Sequence, residues 1–212
     1  MKLTKVVLIA VLCLTANAFS SGCVRLQKSY PDFKVYSLDP SGQSHTGYAG
    51  TPISVALGEF SVVPQFADRY LTYRADEVNY ESDFYNQMMT APAAIIQNQT
   101  EAWLKASPVL KFVLPSDAVY NTSYQISGKV FEFYGDYRQS DQPKAVLQME
   151  LTVRDLKGDD TSILLQKVYS EAISIQKTSP KLLVEGWNQA LGKILGQFEE
   201  DLKKLAAASS AG

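Results

Sequence analysis

Hydrophobic positions recur along this chain in two rhythms, and its last third carries both most clearly. Between Ala145 and Arg154, Leu147, Met149, Leu151 and Val153 alternate with Gln148, Glu150, Thr152 and Arg154. A period of two with one dry and one wet face predicts a strand of an antiparallel sheet covered on one side. Lys157-Gly158-Asp159-Asp160 predicts the turn, and Ile163 to Ile175 the returning strand. The period then lengthens: Leu183, Trp187, Leu191, Ile194, Phe198, Leu202 and Leu205 recur every three or four residues. That stripe is one face of a helix laid against the sheet, with Ser179 as its cap and Pro180 in its first position. The small residues from 206 to 212 predict a disordered tail.

The same reading extends upstream. Phe33 to Leu38 and Ile53 to Phe60 predict strands separated by a loop rich in Pro, Ser and Gly. Leu71 to Tyr80 predicts two short strands around a turn at Ala75-Asp76. Thr90 is a candidate cap for a helix running to about Ala106, with Pro92 in its first turn. Ala93, Ile96, Trp103 and Leu104 fall on one side of it, and Gln97, Glu101 and Lys105 on the other. Leu110 to Leu114 predicts a short strand. Thr122 to Tyr134 predicts a long one, whose alternation shifts near Val130-Phe131 and so calls for a bulge or a bend. These elements make an α+β fold: a single two-layer domain over 33–205, mainly antiparallel sheet packed against two amphipathic helices.

The first 22 residues follow neither rhythm. Lys2 and Lys5 precede an apolar run from Val6 to Leu14, and small residues follow to Gly22. This is the layout of a signal peptide, too short for a spanning helix of about 20 apolar residues. Two cuts are open. Ala16-Asn17-Ala18 suits ordinary signal peptidase, whereas Ser20-Ser21-Gly22-Cys23 resembles a lipobox, with Ser20 where an aliphatic residue is usual. Cys13 lies in the removed segment, so Cys23 would be the sole remaining thiol, unable to form an internal disulfide. Acylation would cap it, with a diacylglycerol and an N-acyl chain such as palmitate. Residues 23–32 would then be a lipidated tether. Val24, rather than Asp, after the cysteine would sort the protein to the outer membrane of a diderm bacterium.

Candidate chemistry is sparse. The one histidine, His45, lies in the Ser/Gly loop and reads as a loop residue, so no triad and no His-rich metal site can be assembled. No phosphate-binding glycine loop occurs. Glu199-Glu200-Asp201, beside Lys203-Lys204, reads as a solvated helix face. Gly192-x-x-x-Gly196 would permit a close contact in a homo-oligomer. The formal charge of −2 argues against nucleic acid. We therefore expect no enzymatic activity and no cofactor beyond the acyl chains on Cys23.

Two segments are rich in the side chains over-used at interfaces. One, from Pro64 to Arg74, holds Phe66, Arg69, Tyr70 and Arg74. The other, from Tyr80 to Met89, holds Phe84, Tyr85, Met88 and Met89. Both read as loops or short edge strands, and they serve either as a partner surface or as filling between sheet and first helix.

Taken with Cys23, several short patterns resemble the ABC-type transport auxiliary lipoprotein family. They are Tyr36-Ser-Leu38, Pro64-Gln-Phe66-Ala67-Asp68-Arg69 followed by Leu71-Thr72-Tyr73-Arg74, Phe84-Tyr85 with Pro92, and Val130-Phe131-Glu132-Phe133 before a hairpin and closing helix. The resemblance implies a non-enzymatic lipoprotein on the periplasmic face of the outer membrane. Its partners would be a mammalian-cell-entry (MCE) domain protein and the associated ABC transporter, which moves lipids between membranes. The residues also admit a periplasmic lipid-binding carrier, or an envelope scaffold lipoprotein tied to no transporter.

Overall fold

The computed structural model describes residues 32–40, 45, 47–49, 52–115, 122–156 and 162–209, so Cys23, the tether and the turn at 157–160 lie outside the described residues. Strands β6 (Tyr124–Asp136), β7 (Lys144–Asp155) and β8 (Ile163–Ser174) form an antiparallel meander. Leu147, Met149, Leu151 and Val153 of β7 are all fully buried. Helix α2 (Pro180–Ser209) covers that face with Leu183, Trp187, Leu191, Ile194, Phe198 and Leu202, each also without exposed surface. Every such side chain contributes roughly 1.5–3 kcal/mol by leaving water. The helix runs beyond Leu205, and Ala206 is itself buried, so the tail predicted from 206 starts later than the sequence suggested. Close approach of helix to sheet depends on Gly186, where an added Cβ would sit 2.6 Å from the Cβ of Ala145.

β6 is the spine of the eight-stranded sheet, because its second edge is shared by two strands in succession. β2 (Ile53–Val62) runs parallel to its first half, from Val55 opposite Tyr124 to Val62 opposite Val130. A 3-10 turn at Pro64–Phe66 then shifts the chain, and β3 (Tyr70–Arg74) takes over with Tyr73 opposite Gly135. Outside β2 lies β5 (Leu110–Leu114), in parallel. Outside β3 lie β4 (Tyr80–Met88), antiparallel, and then β1 (Lys34–Tyr36), parallel to β4. The sheet is mostly antiparallel by paired residues, yet four of its ladders are parallel, an arrangement hairpin reasoning did not foresee.

The shift in alternation at Val130-Phe131 is a bulge: Val130 pairs with Met149 and Glu132 with Gln148, leaving Phe131 as the extra residue. The buried face accordingly passes from even positions, Ile126 and Val130, to the odd position Phe133, which stacks on Trp187. Helix α1 (Pro92–Ala106) starts differently from expectation. Ala91, not Thr90, is its cap residue, and no side chain caps it, so Pro92 in the first turn sets the start. Its Ile95, Ile96, Trp103 and Leu104 are buried.

α2 is fastened to β8 through Asp201, whose Oδ2 accepts hydrogen bonds from Lys167 Nζ (2.6 Å) and Tyr169 OH (2.9 Å), while Lys204 Nζ lies 3.1 Å from Oδ1. Burial alone would raise this carboxyl, but those hydrogen bonds outweigh it and hold its pKa at about 2. A carboxylate depressed below its unfolded value of about 3.9 stabilises the fold above that pH and stops doing so as pH falls through the folded value. Asp201→Asn should therefore cost about 1–2 kcal/mol at pH 7, after allowance for solvent screening. In urea melts the gap from the parent protein should narrow between about pH 4 and pH 2. A gap that stays constant across that range would refute the assignment.

Candidate functional site

Both helices lie on one face of the sheet, so the side chains alternating with the core of β3, β4 and β6 are left on the other. There the two aromatic segments singled out in the sequence meet, but they divide into two groups.

The first group is built by an irregularity in β4. Tyr70 pairs with Gln87 and Leu71 with Asp83, so one step along β3 matches four along β4. Asp83 holds this expansion together. Its Oδ1 accepts from the backbone N–H of Tyr85 (3.0 Å) and Asn86 (3.2 Å), and its Oδ2 from Asn86 Nδ2 (2.8 Å) and Tyr73 OH (2.7 Å). Tyr36 OH donates in turn to Asn86 Oδ1 at 3.1 Å, tying β1 to the same network. Burial, followed by the hydrogen bond to Asp83, pushes the Tyr73 phenol far above its ordinary value, so it is a fixed donor at neutral pH. The expansion turns Phe84 outward, 61% exposed, where it stacks on Tyr70 at 5.9 Å and meets Phe33 and Tyr85 edge-on at 6.5 and 5.4 Å. Phe33 is exposed beside it, and Arg69 Nη2 donates to Gln87 Oε1 at 2.9 Å.

The second group lies around the 3-10 turn. Phe66 stacks on Tyr134 at 5.6 Å, and Tyr80 closes against both rings. Arg74 is placed over Tyr80, 5.5 Å from the ring centroid, and its guanidinium donates to the carbonyls of Asp76 and Glu77. A groove of about 490 Å³ opens here between Val63, Gln65, Phe66, Tyr80, Phe131 and Glu132.

The structure thus brings Tyr70, Phe84 and Tyr85 into one region, and Phe66 and Arg74 into another, while Met89 is exposed just past the end of β4, its N–H bonded to the carbonyl of Tyr36. Met88 belongs to neither. It is fully buried in the core, and the segment read as a loop or short edge strand is the nine-residue strand β4, paired on both sides. Sequence reasoning missed Asp83 and Asn86, although an Asp three residues before an Asn among aromatics is a recognisable turn signal. It also misplaced Glu199, which is 2% exposed rather than solvated. Glu199 Oε2 accepts from Trp103 Nε1 (3.1 Å) and lies 2.7 Å from His45 Nδ1, so the loop histidine pins its loop across α1 and α2. An added Cβ at Gly196 would meet nothing within 4 Å. Among the described residues, no cluster of three or more His, Cys, Asp or Glu could hold a metal, and no helix is long and apolar enough to cross a membrane.

No family model matches this sequence, and no curated protein matches it. Solved structures do share the fold. A Xanthomonas campestris protein of the family DUF330 superposes with a TM-score of 0.73 at 11% identity, over 84% of this chain and 100% of that one. An uncharacterized protein superposes at 0.64 with 13% identity, over 81% and 99%. A PelC dodecamer subunit from Paraburkholderia phytofirmans reaches only 0.43 at 11% identity, over 76% and 94%, too loose a likeness to bear on assembly. At such identities the likeness is one of fold, an α+β domain with a single mixed sheet covered by helices.

Proposed function

We propose that this chain is a lipid-anchored auxiliary subunit on the periplasmic face of the outer membrane, docking an MCE-type ABC transporter for intermembrane lipid transport. The observation that carries the reading is the one-sided sheet: its helix-free face bears the groove around Phe66, Tyr80, Tyr134 and Glu132. Stacked aromatics with an adjacent Arg, rimmed by polar groups, are the composition of a protein-binding hot spot. The lipobox-like segment ending at Cys23 supplies the anchor, and the transporter's ATPase the energy, so the subunit works without catalysis or cofactor. A lipid carrier fits less well. Its cavity would lie between sheet and helices, and Trp187, Phe198, Leu147 and Met149 fill that space.

The test has two arms. Cys23→Ser should move the protein from the membrane to the soluble envelope fraction. Cross-linked pull-downs of the parent protein should recover an MCE-domain protein, and two arginines placed on the groove rim (Gln65→Arg with Glu132→Arg) should lower that recovery about tenfold, the equivalent of 1.4 kcal/mol, without releasing the protein from membranes. Recovery of unrelated proteins only, or membrane retention of Cys23→Ser, would overturn the reading.

A further inference from the structure

We propose that the cluster of Phe33, Tyr70, Phe84 and Tyr85 is a bilayer seat, which rests in the headgroup and upper acyl region of the membrane that the acyl chains of Cys23 enter. The inference rests on acylation of Cys23, and adds to it a defined contact between the folded domain and phospholipid.

The length of the chain before the domain restricts where this cluster can be. Nine residues lie between Cys23 and Phe33, a leash that even fully extended spans no more than about 35 Å. Phe33 is both the end of that leash and a member of the cluster, packed edge-on against Phe84. The leash therefore enters the folded domain at this cluster.

The chemistry matches that position. Phe84 and Phe33 are wholly apolar, the first more than 60% exposed and the second half exposed. Tyr70 and Tyr85 beside them combine an apolar ring with a polar tip, the character that concentrates aromatic side chains at membrane–water boundaries. Charge agrees as well. Between residues 24 and 34, Arg25, Lys28 and Lys34 outnumber the single acid Asp32, which favours a surface of anionic phospholipid.

The cluster is constructed rather than left over. A regular β4 would keep Phe84 within the ladder. Instead the Asp83 carboxylate satisfies two backbone N–H groups that the expansion removes from pairing, and so fixes Phe84 outward. The groove at Phe66 is lined by different residues, so partner docking and membrane seating do not compete for side chains.

Tryptophan fluorescence gives the test. The chain has two tryptophans, Trp103 and Trp187, both buried, so Phe84→Trp introduces the single exposed indole. The acylated full-length protein carrying this change is reconstituted into vesicles of phosphatidylethanolamine and phosphatidylglycerol, with or without brominated acyl chains. The expected result is a blue-shifted emission that loses at least half its added intensity to the brominated lipid. Phe112→Trp, an exposed site on β5, the outer strand of the other branch from β6, should keep its intensity. An acylated mass and flotation with vesicles, but an unquenched Phe84→Trp indole, would overturn the seat and leave the anchor standing. So would equal quenching at both positions, or an emission that shifts only when solubilised transporter is added. An intact mass without acyl increments would overturn the anchor and the seat together.

Discussion

Trp187→Ala should remove about 3–5 kcal/mol of stability, the range for truncating a large buried aromatic side chain. Folded domains hold roughly 5–15 kcal/mol in all, so this one change should leave the protein at the edge of unfolding at 25 °C. The size of the effect follows from position. Trp187 has no exposed surface, stacks on Phe133 at 4.0 Å between centroids, and donates its Nε1–H to the carbonyl of Val146 at 3.1 Å. It lies where Gly186 already brings helix and sheet as close as backbones allow, so the neighbours cannot move inward to fill the space. Trp187→Phe separates the contributions: it keeps a ring on Phe133 and loses the hydrogen bond, for about 1–2 kcal/mol. Chemical denaturation followed by far-ultraviolet circular dichroism measures both. A cost below about 1 kcal/mol for the alanine variant would mean that α2 is held elsewhere.

The second large effect is expected at Asp83. Asp83→Ala removes the acceptor for four hydrogen bonds and leaves the Tyr73 hydroxyl, a half-buried donor, without its partner. We expect about 2–3 kcal/mol, less than the sum of four charge-assisted bonds because water reaches part of the site. Hydrogen exchange gives the more specific readout: the amides of Tyr85 and Asn86 should pass from protected to fast exchange while those of β7 stay slow. Asp83→Asn should retain protection of those two amides, since one side-chain oxygen remains to accept them. Unchanged protection in Asp83→Ala would show that the expansion of β4 holds itself.

What the sequence revealed and what it hid divide by the range of the interaction. The α2 stripe and the alternation of β7 were legible because each element declares its buried face in its own residues. Even the bulge at Phe131 was visible, because it breaks a long alternation in midcourse. β4 was not, since Asp83 to Asn86 interrupts its period and makes a nine-residue inner strand look like a loop or a short edge strand. The same interruption left Met88 open between partner surface and core filling, and it is core. Glu199 looked solvated because its neighbours in sequence are charged, whereas Trp103 and His45, which enclose it, lie 96 and 154 residues away. The parallel ladders on β6 were hidden for the same reason: nothing local to β2 announces a partner beyond the next two helices' worth of chain.

That last arrangement has a consequence in time. Synthesis delivers β2, the segment ISVALGEFSV, well before β6, on which it will lie. At about 5–20 residues per second, the gap from residue 62 to residue 124 is on the order of 3–12 s. The wait exists because β6 is the spine and the chain reaches it late, after both strands that share its edge have been made. For that interval the edge of β2 that β6 will occupy stands unmatched and free to pair with the wrong strand. The N-terminal half of this domain therefore folds onto a template that the C-terminal half supplies. A holding factor that delays collapse until β6 and β7 have emerged should raise the yield of native protein, and a chain cut short before residue 124 should aggregate.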